Sequence, residues 1–290
     1  MLQITGSTQL IGLLGWPVSH SQSPAMHNAA AADLQLDMVY VPLPVKSEEL
    51  SDAISGLVAL GFAGANVTLP HKKAIVPLVD HLDQAAAIIG AVNTVVIRRI
   101  SDSDGSRAVV GGYNTDWSGF LQDLETYGWK PGGKSCLVLG AGGSARAVAY
   151  GLARAQARVT VASRRIEQAR DLVRDLEAGF GYGQIQPRDY GELDEFCQQH
   201  RPDLIVNATP VGMVPNVKLS PWPGEVALPE SAFVYDLVYR PAETRLMSDS
   251  KAAGCRVANG LGMLVQQGAQ AFELWTGKKP NTQVMAAALE

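Results

Sequence analysis

Apolar positions along the chain follow two rhythms. Gln9–Gly15, Asp37–Pro42 and Gly64–Val67 are short apolar runs that read as strands, while Ser23–Leu34 and Ser47–Leu60 carry apolar residues at helical spacing. After Pro70 a helical pattern continues to about Leu82. Ala91–Arg99 and Ala108–Gly112 then read as paired strands around a polar turn at Ser101–Ser106. The alternation is that of an α/β domain.

From Asp116 the pattern restarts. A helix over Asp116–Tyr127 and a turn at Trp129–Gly133 lead into strands at Ser135–Leu139, Arg158–Ala162, Leu204–Asn207, Phe233–Asp236 and Arg256–Ala258, with helices between most of them. Strands alternating with helices predict a doubly wound parallel sheet. Helices over Gly262–Trp275 and Thr282–Leu289 close the chain, and periodicity does not assign them to either lobe. The 290 residues suit two domains better than one. The fold class is therefore α/β with two domains.

Composition narrows the function classes. Lys+Arg 24 against Asp+Glu 28 gives a chain with no basic field, so nucleic acid is not an expected partner, and an anionic ligand must be met by local groups. Cys136, Cys197 and Cys255 are odd in number and widely spaced, which argues against a disulfide framework and for a reducing compartment. His20, His27, His71, His81 and His200 show no metal-ligand spacing, so no metal is expected. The first residues show no basic leader or cleavage site, and no apolar run approaches the ~20 residues of a membrane helix, so a cytoplasmic protein without membrane contact is expected.

One loop carries a chemical signature. Gly140–Ala–Gly–Gly–Ser–Ala145 sits where the strand Ser135–Leu139 turns into a helix. Gly140 permits a tight turn, Gly142 admits a close backbone approach, and the helix N-terminus offers free N–H groups to a pyrophosphate. The next strand ends at Ser163–Arg164–Arg165, where a carboxylate would stand in a protein selecting NAD. Guanidinium groups there suit a 2′-phosphate and point to NADP. The alternative is that both arginines only solvate a strand end.

Four polar clusters mark the first lobe. In His20–Ser21–Gln22–Ser23–Pro24, Ser21 and Ser23 can donate to a carboxylate, and Ser23 is equally a good N-cap before Pro24. In Asn66–Val67–Thr68–Leu69–Pro70–His71–Lys72–Lys73, both lysines fall in the first turn of the expected helix, where the dipole disfavours positive charge. Lys72 is the candidate for holding or passing a proton beside a carbonyl. Asn93, in Gly90–Ala91–Val92–Asn93–Thr94, interrupts an apolar strand and needs hydrogen-bond partners that a polyhydroxy substrate would supply. Asp116, after Tyr113–Asn114–Thr115, is either the cap of the following helix or the acid partner of Lys72.

The ordered motifs HSQSP, NVTLPHK, GAVNT, YNTD, GAGGSARA, NATPVGM, DLVYRPAETRL and NGLGMLVQQGAQAFELWTG resemble the shikimate dehydrogenase family along nearly the whole chain. That resemblance implies NADP-dependent interconversion of 3-dehydroshikimate and shikimate, a step towards chorismate and the aromatic amino acids. It implies Lys72 and Asp116 as the catalytic pair and Ser21, Ser23 and Tyr239 at the substrate carboxylate. Asn66, Thr68, Asn93 and Gln267 would meet ring hydroxyls. On the cofactor side it implies Gly140, Gly142, Gly143, Ser144 and Ala145 at the phosphates and Ser163, Arg164 and Arg165 at the 2′-phosphate. Thr209, Val238, Gly260 and Met263 would lie near the nicotinamide. Two positions depart from the family pattern: Pro210 stands where a serine is common, and Arg165 with Gln168 replaces a threonine followed by a basic residue.

The resemblance also places residues 260–290 back with residues 1–115 as a substrate domain, leaving 116–259 as the NADP domain, and implies a monomer or homodimer that closes on its ligands. Two other readings remain: a quinate/shikimate dehydrogenase of broader substrate or NAD use, and a silent regulatory module that binds NADP and a small acid.

Overall fold

In the computed structural model, residues 4–102, 105–180 and 183–289 are described. The chain divides into two units, residues 1–115 with 265–290 and residues 116–264. The expected domain division returned to the first unit at Gly260; the contact division lies at Val265, inside a helix. The centre of the expected Ser101–Ser106 turn lies outside the described residues.

The first unit opens with β1 (Gln9–Gly15), α1 (Ser23–Asp33), β2 (Met38–Pro44), α2 (Leu50–Ala59), β3 (Gly64–Val67), β4 (His81–Leu82), α3 (Gln84–Ile89), β5 (Thr94–Asp102) and β6 (Gly105–Tyr113). Its six-stranded sheet has the order β2-β1-β3-β5-β6-β4. β1 pairs in parallel with β2 and β3, whereas β5 runs antiparallel to both β3 and β6. The antiparallel strand brings its first residue, Thr94, opposite Asn66 near the carboxyl end of β3. Helix α2 shows why the pattern folds this way. Leu50, Ile54 and Leu57 recur at helical spacing and join Leu14, Val67 and Val95 in one core.

The expected helix from Pro70 to Leu82 is not formed. Residues 72–75 make turns, Val76–Leu78 is a short 3-10 helix, and β4 follows. Pro77 has no N–H to give the carbonyl of Lys73, which accepts instead from Val76 N at 3.2 Å. Lys72 and Lys73 therefore do not sit in the first turn of an α-helix, and the dipole argument for them lapses. Two short elements, β4 and α3, were not legible as separate pieces. Asp83 caps α3 by accepting from Ala86 N at 2.8 Å.

The second unit runs α4 (Asp116–Thr126), β7 (Ser135–Leu139), α5 (Gly143–Arg154), β8 (Arg158–Ser163), α6 (Ile166–Phe180), β9 (Ile185–Asp189), α7 (Leu193–His200), β10 (Leu204–Asn207), β11 (Phe233–Asp236), α8 (Arg245–Ala252) and β12 (Arg256–Asn259). Its strands pair in parallel throughout, in the order β12-β11-β10-β7-β8-β9. The order reverses between β7 and β10, the switch point at which such sheets bind ligands beyond their carboxyl ends. α9 (Leu261–Thr276) and α10 (Thr282–Ala287) complete the chain.

No helix among the described residues is long and apolar enough to cross a membrane. Among them, too, no cluster of His, Cys, Asp and Glu is arranged to hold a metal ion.

Candidate active site

In the first unit three of the expected substrate residues, Asn66, Asn93 and Gln267, meet where β3 ends and β5 begins. Asn66 Nδ2 donates to the Asn93 carbonyl at 3.1 Å and to Thr94 Oγ1 at 3.2 Å, and Asn66 Oδ1 accepts from the Tyr40 hydroxyl at 2.8 Å. Asn93 Oδ1 accepts from the backbone N–H of Thr115 at 2.8 Å, while its Nδ2 donates to Gln267 Oε1 at 3.1 Å and Thr115 Oγ1 at 2.9 Å. A backbone carbonyl can only accept and a backbone N–H can only donate, so both asparagine amides have one possible orientation. Asn93 is thus satisfied within the protein, with Gln267 of α9 and Thr115 as partners the sequence did not supply.

This network also locates the catalytic candidates along the chain. The Lys72 carbonyl accepts from Val92 N at 2.8 Å, one residue before Asn93, and Thr115 on the Asn93 amide immediately precedes Asp116. Asp116 opens α4, in whose first turn a carboxylate is favoured. Thr68 holds the end of β3 to β1, donating its N–H to the Leu14 carbonyl at 2.9 Å.

Ser21 and Ser23 lie at the start of α1. The cap position belongs to Gln22, which makes no side-chain capping bond, and Ser23 is already helical; the expected capping role for Ser23 is therefore corrected. The Ser23 N–H donates instead to Ser21 Oγ at 3.3 Å.

Beneath the network lies an aromatic stack. His27 is fully buried, stacked on Tyr40 at 4.4 Å and edge-on to Trp275 at 5.4 Å, with Phe272 parallel to it at 6.2 Å. Neither ring nitrogen makes a hydrogen bond of normal geometry. Burial drives its pKa from 6.5 down to about 3, against the opposing effect of the neighbouring Asn66 amide, which favours the protonated ring. Burial likewise pushes the Tyr40 phenol up, so its hydroxyl remains a donor to Asn66.

In the second unit the glycine loop sits at the switch point. Gly140 has φ +107, a conformation that favours glycine, and a side chain there would press on Thr209 and Ala208 at 3.0–3.1 Å. Gly142 caps α5 without a side-chain bond, and the space a side chain would fill beside it is open. An N-terminus of a twelve-residue helix with an open approach fits a dinucleotide pyrophosphate, bordered by Gly143, Ser144 and Ala145. At the end of β8, Ser163 is buried and accepts from Arg165 N at 3.3 Å, while Arg164 and Arg165 are exposed. Across the switch point Thr209 follows β10, Val238 and Tyr239 follow β11, and Gly260 and Met263 follow β12. Burial raises the Tyr239 phenol above its ordinary pKa, against the opposing charge of Arg240.

Comparison with known proteins assigns the fold to one lineage. A curated shikimate dehydrogenase (NADP(+)) of Moorella thermoacetica is 46% identical over 290 residues, covering 100% of this chain and 95% of the relative. The chain belongs to the shikimate dehydrogenase family. The family's substrate binding domain matches residues 13–95 and its C-terminal domain residues 260–290. A saccharopine dehydrogenase NADP binding domain matches residues 136–216. Among solved structures, shikimate 5-dehydrogenase from Thermus thermophilus in complex with NADP(H) and shikimate is 37% identical with a TM-score of 0.82, covering 97% of this chain and 98% of that one. Quinate dehydrogenase from Corynebacterium glutamicum in complex with NAD is also similar, at 31% identity and a TM-score of 0.84, covering 97% and 98% of the two chains.

Several residues of the site had no reading in the sequence. Tyr40, Thr94 and Thr115 sit in the network of Asn66 and Asn93, and Asn207, Asp236 and Asn259 end three successive strands of the second unit's sheet. A polar residue closing an otherwise apolar strand was the available signal for the last three.

Proposed function

We propose that this chain interconverts 3-dehydroshikimate and shikimate with NADP, as its membership of an oxidoreductase family and its own residues indicate. The observation that carries the reading is the placement of the implicated residues at the carboxyl edge of each unit's parallel strands, where open α/β sheets bind ligands. Ser21, Ser23 and Tyr239 take the substrate carboxylate. Thr68 and Gln267 meet ring hydroxyls, Asn93 does so by exchanging one of its amide bonds to Thr115 or Gln267 for the substrate, and Asn66 does so while fixing the Asn93 and Thr94 neighbours.

Gly140, Gly142, Gly143, Ser144 and Ala145 cradle the pyrophosphate, and Ser163, Arg164 and Arg165 take the 2′-phosphate. Thr209, Val238, Gly260 and Met263 border the nicotinamide. Bound there, NADPH would supply hydride chemistry to the ketone carbon. Lys72 and Asp116 supply and hold the proton that the substrate oxygen gains, so that the alkoxide charge does not build up. With this reading go a cytoplasmic setting and a monomer or homodimer. Three buried cysteine thiols, none paired, are consistent with a reducing compartment.

The quinate dehydrogenase neighbour supports a second reading in which quinate is also accepted; Arg164 and Arg165 weigh against NAD in either case. The proton assignment is tested by Lys72→Ala and Asp116→Ala. Each is expected to retain shikimate binding by calorimetry while kcat falls by roughly 10²–10⁴-fold, the usual scale of general acid–base catalysis. Near-parental turnover in both variants would overturn the assignment.

A further inference from the structure

Three neighbouring strands of the second unit end on polar side chains that stand in register. Asn207, Asp236 and Asn259 are the last residues of β10, β11 and β12, with Asn207 opposite Asp236 and Asp236 opposite Asn259. Asn207 and Asp236 have no exposed surface. An amide and a carboxylate withdrawn this far from water persist only when their hydrogen bonds are supplied by the protein.

Those bonds run to the loops beyond the strands. Asp236 Oδ1 accepts from Asn207 Nδ2 at 2.8 Å and Val238 N at 3.0 Å, and Oδ2 accepts from Thr244 Oγ1 at 2.6 Å. Asn207 Oδ1 accepts from Thr209 N at 3.0 Å and Thr209 Oγ1 at 2.7 Å, while Nδ2 also donates to the Val211 carbonyl at 3.2 Å. Asn259 Oδ1 accepts from Leu261 N at 3.1 Å, and Nδ2 donates to the Ala242 carbonyl at 2.9 Å. Backbone approach completes the lock, since a side chain at Gly260 would lie 2.2 Å from the Leu237 carbonyl oxygen. Every loop held in this way carries a residue read above as bordering the nicotinamide.

We propose that Asn207, Asp236 and Asn259, with Thr244, are positioning residues for the nicotinamide half of the dinucleotide, acting through the loops of Thr209, Val238 and Gly260. This rests on the NADP reading of the second unit. The 2′-phosphate candidates follow β8, separated from β10 by β7, so the row governs one end of the cofactor and leaves the other untouched.

Asp236 is the member to perturb. Its neighbours Asn207 Nδ2 and Val238 N are committed donors, so in Asp236→Asn the amide nitrogen must face Thr244, whose hydroxyl then has to turn away. Thr244→Val removes the third donor with little change of shape and serves if the first variant does not fold. Both are assayed for kcat and NADPH KM, and for competitive inhibition by adenosine 2′,5′-bisphosphate, a probe of the adenosine end alone.

In Asp236→Asn, kcat is expected to fall at least tenfold and NADPH KM to rise, with the bisphosphate inhibition constant within twofold of the parent. Thr244→Val is expected to show the same split at about threefold. Values of kcat within twofold of the parent in both variants would overturn the proposal. So would a bisphosphate constant that rises in step with KM, which marks general loosening of the unit. If the parent chain itself shows no turnover, the functional reading fails instead, and the positioning claim is then decided by the Kd of NADPH against that of the bisphosphate.

Discussion

Replacing His27 by phenylalanine should remove a pH dependence of stability that the aromatic stack builds into the first unit. The imidazole is fully buried, stacked at 4.4 Å on Tyr40, and held to a pKa of about 3 against 6.5 in the unfolded chain. A depressed folded pKa means that the unfolded chain binds the proton first. The stability contributed by the neutral ring is complete above pH 6.5 and is lost as the pH falls towards 3. At about 1.36 kcal/mol per pKa unit the whole effect is on the order of 5 kcal/mol, and about 2 kcal/mol of it is gone at pH 5.

His27→Phe keeps the stacked ring and discards two nitrogens that make no hydrogen bond, so at pH 7.5 it should lie within about 1 kcal/mol of the parent. Urea unfolding at pH 7.5 and pH 5, followed by tryptophan fluorescence and circular dichroism, measures the difference. Groups other than His27 titrate alike in both proteins and cancel. The parent should lose about 2 kcal/mol more than the variant over this interval. Parallel loss in the two proteins would refute the buried neutral histidine.

Two further substitutions have expected costs. Gly64→Ala places a methyl 2.2 Å from the Val95 carbonyl oxygen and 2.5 Å from Trp275 Nε1, breaking the 2.9 Å Trp275–Val95 hydrogen bond; a loss of about 3 kcal/mol by urea unfolding is expected, and less than 1 kcal/mol would contradict the packing. Removing both arginines by Arg164→Ala with Arg165→Ala deletes charge-assisted bonds to the 2′-phosphate, so the ratio of kcat/KM for NADP over NAD should drop by on the order of 30-fold, or about 2 kcal/mol; an unchanged ratio would return both side chains to simple solvation of a strand end.

The parts of the fold that were legible in the sequence are those with a strong local signal. Leu204–Asn207 and Phe233–Asp236 are continuous apolar runs that must be strands of a buried parallel sheet, and their bounds agree with the structure. The segment after Pro70 was misread because Ile75, Val76 and Leu78 keep a helical spacing that Pro77 forbids the backbone to follow. β9 escaped notice because Gln186, Pro187 and Arg188 break the apolar run of an edge strand.

In the site, the glycine loop was legible because its chemistry is carried by neighbours in sequence. The Asn93–Gln267 contact joins residues 174 apart, and nothing in either segment announces the other. Tyr40 and His27 looked like ordinary strand and helix residues, and their role arises only when α9 brings Phe272 and Trp275 against them.

The most direct test of the account is the absorbance of reduced nicotinamide when the purified chain meets shikimate with NADP, shikimate with NAD, quinate with NADP and quinate with NAD. Rapid reduction with shikimate and NADP, and little in the other three combinations, is the expected result. Faster reduction with quinate or with NAD would contradict the assigned specificity, and no reduction in any combination by a protein that binds NADP would contradict catalysis itself.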